Sequence, residues 1–262
     1  MDYENLRFEV KEQCAHISLN RPKSGNALDA GLIQDFSQAM LRCDEDKGIR
    51  AVLLSGEGKT FCVGGDLTHF AAHIDNLPFH IKDIIIHLHN AITRMTRMEA
   101  PVVAAVHGNI AGAGVSLLCA ADITLAAEST TFNMAYTAVG LSPDGSSTYF
   151  LPRAVGLKRA LELMLSNRTI SAQEALALGL VSEVVPDGAL MARAGELAGR
   201  LAAGPTLALG AAKRLLRESW SRTLETQMEY EAQAIADMTR TADFREGVMA
   251  FLEKRPPKYT GE

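Results

Sequence analysis

No run of basic residues in this 262-residue chain exceeds two, and none of its four cysteines forms a CxxC pair. The first absence, together with a net charge of −5, leaves no electrostatic footprint for a nucleic-acid partner. The second leaves Cys14, Cys43, Cys62 and Cys119 far apart, as reduced thiols of a cytoplasmic protein rather than a disulfide or zinc framework. The N-terminal stretch Met1-Asp2-Tyr3-Glu4 is acidic and polar, so no signal or transit peptide is expected. A dinucleotide fingerprint is missing too: Gly112-Ala113-Gly114 lacks its third glycine. Gly140-Leu141-Ser142-Pro143-Asp144 opens like a nucleophile elbow but lacks the closing glycine. Internal repeats and low-complexity segments are absent.

What is present is a large apolar fraction, 47%, against 22% charged residues, enough for a sizeable core. The longest charge-free stretch lies between Glu99 and Asp122. It is about long enough to span a membrane, but glycine, proline, His107 and Asn109 interrupt it and no basic cluster flanks it, so a buried segment is expected. Pro101–Val106 reads as a buried strand, and the small residues after it lead into an apolar helix. A glycine-rich turn feeding a helix leaves backbone N–H groups free at the positive end of the helix dipole. That is half of an oxyanion hole. A second glycine pair, Gly64-Gly65, follows another apolar run, Ala51–Leu54, and parallel strands would bring both loops to one sheet edge.

The first two-thirds of the chain alternates strand and helix. Cys14–Leu19, Ile123–Ala126, Thr131–Met134 and Val181–Val185 read as strands. Asp29 is placed to cap a helix carrying Leu32, Ile33, Phe36 and Met40. Ile81, Ile84, Ile85, Leu88 and Ile92 mark another helix, Gly140–Ser147 a loop, and Val155–Leu165 a further helix. Ser171 and Glu174 form a capping box. Beyond Pro186 the pattern is helical only, over roughly 187–203, 206–219, 221–239 and 242–254. The expected division is a core over residues 1–197 and a helical region over 198–262.

Asp144, in a Pro-Asp-Gly turn, is a candidate general base in a pocket of small residues. Asp66 and Asp122 read as structural carboxylates. Five of the seven histidines lie between His69 and His89. His69 and His73 have i, i+4 spacing and His87 and His89 alternate, but no cysteine or carboxylate completes a metal set, so no metal is expected.

These blocks together resemble the crotonase, or enoyl-CoA hydratase/isomerase, superfamily. The resemblance rests on Asn20-Arg21-Pro22 with Asn26-Ala27-Leu28, Phe61-Cys62-Val63-Gly64-Gly65-Asp66-Leu67, His107-Gly108 with Gly112-Ala113-Gly114, Pro143-Asp144, Leu151-Pro152-Arg153 and Phe251-Leu252-Glu253-Lys254-Arg255. It implies an α/β fold, a spiral of ββα units with a C-terminal all-helical trimerisation region. It also implies a homotrimer or dimer of trimers acting on an acyl-CoA thioester, with no nucleic-acid or membrane partner. Coenzyme A would enter as part of the substrate, with no further cofactor. By resemblance the oxyanion donors are the N–H groups of Gly65 and Ala113. The loop with Lys23, Asn26 and Ala27 would line the CoA channel beside Gly64, Asp66 and Leu67. Phe251 and Lys254 would meet the adenine and phosphate end, from a neighbouring subunit in one arrangement. The two glutamates of hydratases fall at Ser116 and Tyr136, which are poor groups for handling water. Asp144 falls where dienoyl-CoA isomerases, ring-isomerising phenylacetate-pathway enzymes and chlorobenzoyl-CoA dehalogenases keep a catalytic aspartate. The sequence looks closest to the 1,2-epoxyphenylacetyl-CoA isomerase branch, so an isomerase is expected, with Tyr136 walling the acyl pocket. A hydratase-like or dehalogenase-like enzyme and a non-catalytic acyl-CoA scaffold are the alternatives.

Overall fold

The computed structural model describes residues 3–262, so Met1 and Asp2 of the N-terminal stretch lie outside the described residues. The chain opens with a hairpin, β1 (Leu6–Lys11) and β2 (Cys14–Leu19), paired antiparallel. The sequence reading missed β1 because it covers the sheet's edge and exposes most of its side chains, so no apolar periodicity marks it. The helix α1 (Ala30–Glu45) begins where expected, with the Asp29 carboxylate accepting from the Leu32 N–H at 2.9 Å. β3 (Ala51–Gly56) then lies parallel to β2. A short helix α2 (Leu67–Ala72) and a long one, α3 (Leu77–Arg97), lead to β4 (Val102–Val106), which pairs with β3.

After β4 the spiral steps to a second sheet. A short strand β5 (Asn109–Ala111) intervenes before α4 (Ala113–Ala120). The pattern repeats: β6 (Ile123–Ala127) returns to the first sheet beside β4, and β7 (Thr131–Asn133) pairs with β5. Two helices follow, α5 (Ser147–Val155) and α6 (Leu157–Ser166). The helix expected over Val155–Leu165 is α6, which starts after Gly156; α5, which begins at the end of the Gly140–Ser147 loop, was not expected. β8 (Ile170–Ser171), α7 (Ala172–Ala177) and β9 (Glu183–Val185) close the spiral, with Ser171 capping the Glu174 N–H. The larger sheet runs β1-β2-β3-β4-β6-β9 and the smaller one β5-β7-β8.

The larger sheet is buried on both faces, which is why its strands read as continuous apolar runs. Val52, Leu54, Val102, Ala104 and Val106 face a core shared with α1, α3 and α4. Their neighbours Ala51, Leu53, Val103 and Ala105 face the opposite way, onto α8 (Leu190–Ala202) through Leu190, Ala194, Leu197, Ala198 and Ala202. The expected division at 197/198 therefore falls inside a helix that packs on the sheet; we propose Gly204–Pro205, where this helix has ended, as the division.

Three further helices complete the chain: α9 (Thr206–Glu218), α10 (Leu224–Met238) and α11 (Ala242–Glu253). α9 is tied to the spiral by Asp122, whose carboxylate takes Lys213 Nζ and Arg217 Nη2 at 2.7 Å each and the Val102 N–H at 2.8 Å. Asp122 is structural, as expected.

Candidate active site

Two glycines let the loops after β3 and β5 pack tightly on each other. Gly64 has φ +96°, and a Cβ there would stand 2.9 Å from the Ala111 oxygen and 3.3 Å from the Ala113 nitrogen. At Gly114, the second residue of α4, a Cβ would stand 2.3 Å from the Cys62 oxygen. Glycine at both positions is what allows the loop after β3 to press against the start of α4. The Ala111 N–H donates to the Cys62 oxygen at 3.2 Å and locks the approach. The two loops that the sequence placed at one edge do meet.

Gly65 and Ala113 both line the cavity that results. The parallel bridge between Leu28 and Gly65 uses the Gly64 oxygen and the Asp66 N–H, not the Gly65 N–H. Ala113 is the first residue of α4, whose earliest bonds to Gly112 come from Val115 and Ser116. Among the described residues, neither the Gly65 nor the Ala113 N–H has a hydrogen-bond partner. Two free amides at one cavity wall, one of them at a helix N-terminus, suit a developing oxyanion.

The cavity measures about 220 Å³, below the roughly 300–1,000 Å³ of pockets that take a whole drug-sized ligand. Its walls are apolar: Leu28, Ile33, Leu67, Phe70, Ile81, Ile84, Ile85, Leu88, Val139 and Leu141. Asp144 is the one carboxylate among the lining residues.

Asp144 is held by a small polar network. The Tyr136 hydroxyl donates to Asp144 Oδ1 at 2.7 Å. Its single hydrogen is then committed, so Ser116 Oγ, 2.8 Å away, donates to the Tyr136 oxygen or to the Asp144 carbonyl at 3.1 Å. Ser147 Oγ donates to the same carbonyl at 3.0 Å. Burial pushes the Tyr136 phenol well above its usual range and the Asp144 charge adds to this, so Tyr136 stays neutral and remains a donor. Asp144 Oδ2 carries no hydrogen bond among the described residues, and it is not one of their buried unpaired atoms. The sequence reading gave Tyr136 a packing role. Its hydroxyl contact to Asp144 and the part of Ser116 were missed, because 20 and 28 residues separate Ser116 from its two partners.

The other expected residues divide between the cavity and its surroundings. Gly64 and Leu67 line the cavity, but Lys23, Asn26, Ala27 and Asp66 do not. Asn26 is fully buried. Its Oδ1 accepts from the Arg21 N–H at 2.8 Å, and its Nδ2 donates to the Glu57 and Thr60 oxygens at 2.9 and 2.8 Å. Its amide is thereby spent on shaping the loop, which corrects its expected place in the ligand channel. Asp66 caps α2 and pairs with Arg21 at 3.1 Å, and Arg21 also reaches Asp29 at 2.9 Å. Burial alone would raise the Asp66 carboxyl, but the His69 N–H and Arg21 outweigh it and hold it below the usual carboxylate range. It fixes the loop, as expected. Lys23 is exposed beside this loop, while Phe251 and Lys254 sit on α11 and at its C-terminal cap, Phe251 lining a separate groove. The histidine reading needs a different correction: His80, in the first turn of α3, joins His69 and His73 in one cluster.

Residues 9–262 match the enoyl-CoA hydratase/isomerase family. A curated relative from Rhodobacter capsulatus bearing an enoyl-CoA hydratase name is 41% identical over all of both chains. The 1,2-epoxyphenylacetyl-CoA isomerase of Escherichia coli is 36% identical over 99% of each. Among solved structures, an enoyl-CoA hydratase/isomerase from Cupriavidus metallidurans superposes with a TM-score of 0.91 at 37% identity, covering 100% of this chain and 98% of that one.

Proposed function

The chain belongs to the enoyl-CoA hydratase/isomerase family and has the crotonase fold, and from that premise we propose that it is an acyl-CoA isomerase. The observation that carries this reading is the lone carboxylate of the cavity, Asp144, lining the same space as two unpaired amides. The thioester oxygen accepts from the N–H groups of Gly65 and Ala113. That lowers the barrier to removing a proton beside the carbonyl, because the negative charge it leaves meets donors already in place. Asp144 takes the proton and returns it at another carbon, shifting a double bond or rearranging a ring. Tyr136 holds Oδ1, so Oδ2 is the oxygen that works.

Syn addition of water asks for a further group to orient and deprotonate that water. Ser116 and Tyr136, where hydratases place glutamates, instead bond to each other and to Asp144. This supports isomerisation over hydration. We also propose a cytoplasmic homotrimer or dimer of trimers, supported by exposed apolar residues on the C-terminal helices, among them Leu224, Ile235, Phe251 and Leu252. Lys254 and Phe251 then meet the coenzyme A end of the substrate across that contact.

The test is incubation with β,γ-enoyl-CoA, α,β-enoyl-CoA and epoxide-bearing aryl-CoA thioesters, read by product mass and ultraviolet absorbance. Products of unchanged mass with a shifted chromophore are expected. Products one water heavier support a hydratase, a trapped ester on Asp144 supports displacement chemistry, and no turnover of any thioester supports a scaffold.

A further inference from the structure

Three imidazoles converge at the lip of the acyl cavity, away from the residues assigned to the reaction. His69 lies on α2, His73 caps its C-terminus, and His80 comes from the first turns of α3. His69 Nε2 and His80 Nε2 are 2.7 Å apart. The ring centroids lie 4.1 Å apart for His73 and His80, 4.5 Å for His69 and His73, and 4.8 Å for His69 and His80. One nitrogen from each ring falls within 4.8 Å of the other two. We propose that His69, His73 and His80 form a three-histidine site for a borderline divalent transition metal such as Zn²⁺, which pins α2 to α3 at the rim of the acyl pocket.

The hydrogen-bond pattern already prepares the ligands. His73 Nδ1 lies 2.9 Å from the His69 backbone oxygen, and a carbonyl only accepts, so Nδ1 carries the proton. The Nε2 lone pair of His73 is therefore free. A second hydrogen bond that fixes the tautomer in this way is a regular companion of metal-binding histidines. The facing nitrogens of His69 and His80 share one proton. On metal binding that proton shifts to the far nitrogen of the same ring, so neutral rings need release none.

Neutral nitrogen donors with no carboxylate among them suit zinc, copper, nickel or cobalt, not calcium or magnesium. Tetrahedral bonds of roughly 2.0–2.1 Å put ligand nitrogens about 3.3 Å apart. His69 and His80 must then separate by roughly 0.6 Å, within the reach of side-chain torsions. Three protein ligands leave one position open to water. The mechanical consequence follows from the neighbours: Leu67 and Phe70 on α2 and Ile81 and Ile84 on α3 are cavity walls. A metal here braces that wall.

The test uses the full-length protein after chelator treatment, titrated with Zn²⁺ by calorimetry and with Co²⁺ as an optical reporter of coordination. The expected result is one metal per chain, with binding at least tenfold weaker in His73→Ala and in His80→Ala. His73 is exposed, so its variant is expected to fold normally, checked by circular dichroism. Zn²⁺ is also expected to slow amide exchange across residues 67–80 in the wild type and not in His73→Ala. A wild type that binds no Zn²⁺, or variants that bind as tightly as it does, would overturn the proposal.

Discussion

The Tyr136 hydroxyl donates to Asp144 Oδ1 at 2.7 Å, and its own proton is locked in place by burial. The site's one carboxylate is therefore presented to the cavity in a fixed orientation. Tyr136→Phe keeps the ring that fills the wall and removes only this donation. A hydrogen bond to a charged group contributes about 1.5–3 kcal/mol. Turnover is expected to fall roughly tenfold to a hundredfold, with KM little changed, since the thioester oxygen is held elsewhere. Steady-state kinetics on the isomerised substrate checks this; a variant with unaltered kcat contradicts the positioning role.

Gly114→Ala probes the junction of the two loops. Its Cβ would stand 2.3 Å from the Cys62 backbone oxygen, which cannot swing away as a side chain would. Overpacking of this kind costs about 1–3 kcal/mol. The expected outcome is a lower melting temperature together with a loss of kcat, because α4 must retreat from the Gly64-Gly65 loop. Loss of stability with full kcat would mean that the two amides need not converge.

Glu246 offers a pH test remote from the cavity. Its carboxylate takes Arg255 Nη1 and Nη2 at 2.5 and 2.8 Å and the Lys258 N–H at 2.7 Å, and these bonds, Arg255 first, lower its pKa to about 2. A carboxyl held below its unfolded value contributes stability that is fully present above the unfolded pKa, 4.5 here, and lost as pH falls through the folded value. The difference in melting temperature between wild type and Glu246→Gln should stay constant above about pH 4.5 and shrink as pH falls toward 2. A gap that widens on acidification contradicts the assignment.

Much of this was legible in advance, and the reasons are physical. The strands β3 and β4 are apolar on both faces, so they stand out, and the glycines that follow them mark the loops that must approach each other. Asp144 was visible through its turn and through the family resemblance. The Tyr136–Asp144 bond was not, because Ala135, with φ +57°, and the loop beyond it turn the hydroxyl back along the chain. Asn26 misled for the opposite reason: an amide in a loop looks available until Glu57 and Thr60 are seen to consume it. His80 escaped because 11 residues and a helix reversal separate it from His69.

Phe251 is 82% exposed on the isolated chain, beside Leu252 at 68%. Phe251→Glu is expected to shift the sedimentation of the protein from a trimer or hexamer to a smaller species, since a charge in an apolar subunit contact is left unpaired. Unchanged sedimentation would remove this face from the proposed assembly.

Asp144→Asn tests the central claim most directly, because the amide keeps the shape of the side chain and cannot accept the proton. With a β,γ-enoyl-CoA or another thioester that the wild type isomerises, the expected result is a loss of turnover of about 10²–10⁴-fold, with acyl-CoA binding retained by calorimetry. Near wild-type isomerisation by Asp144→Asn would contradict the account.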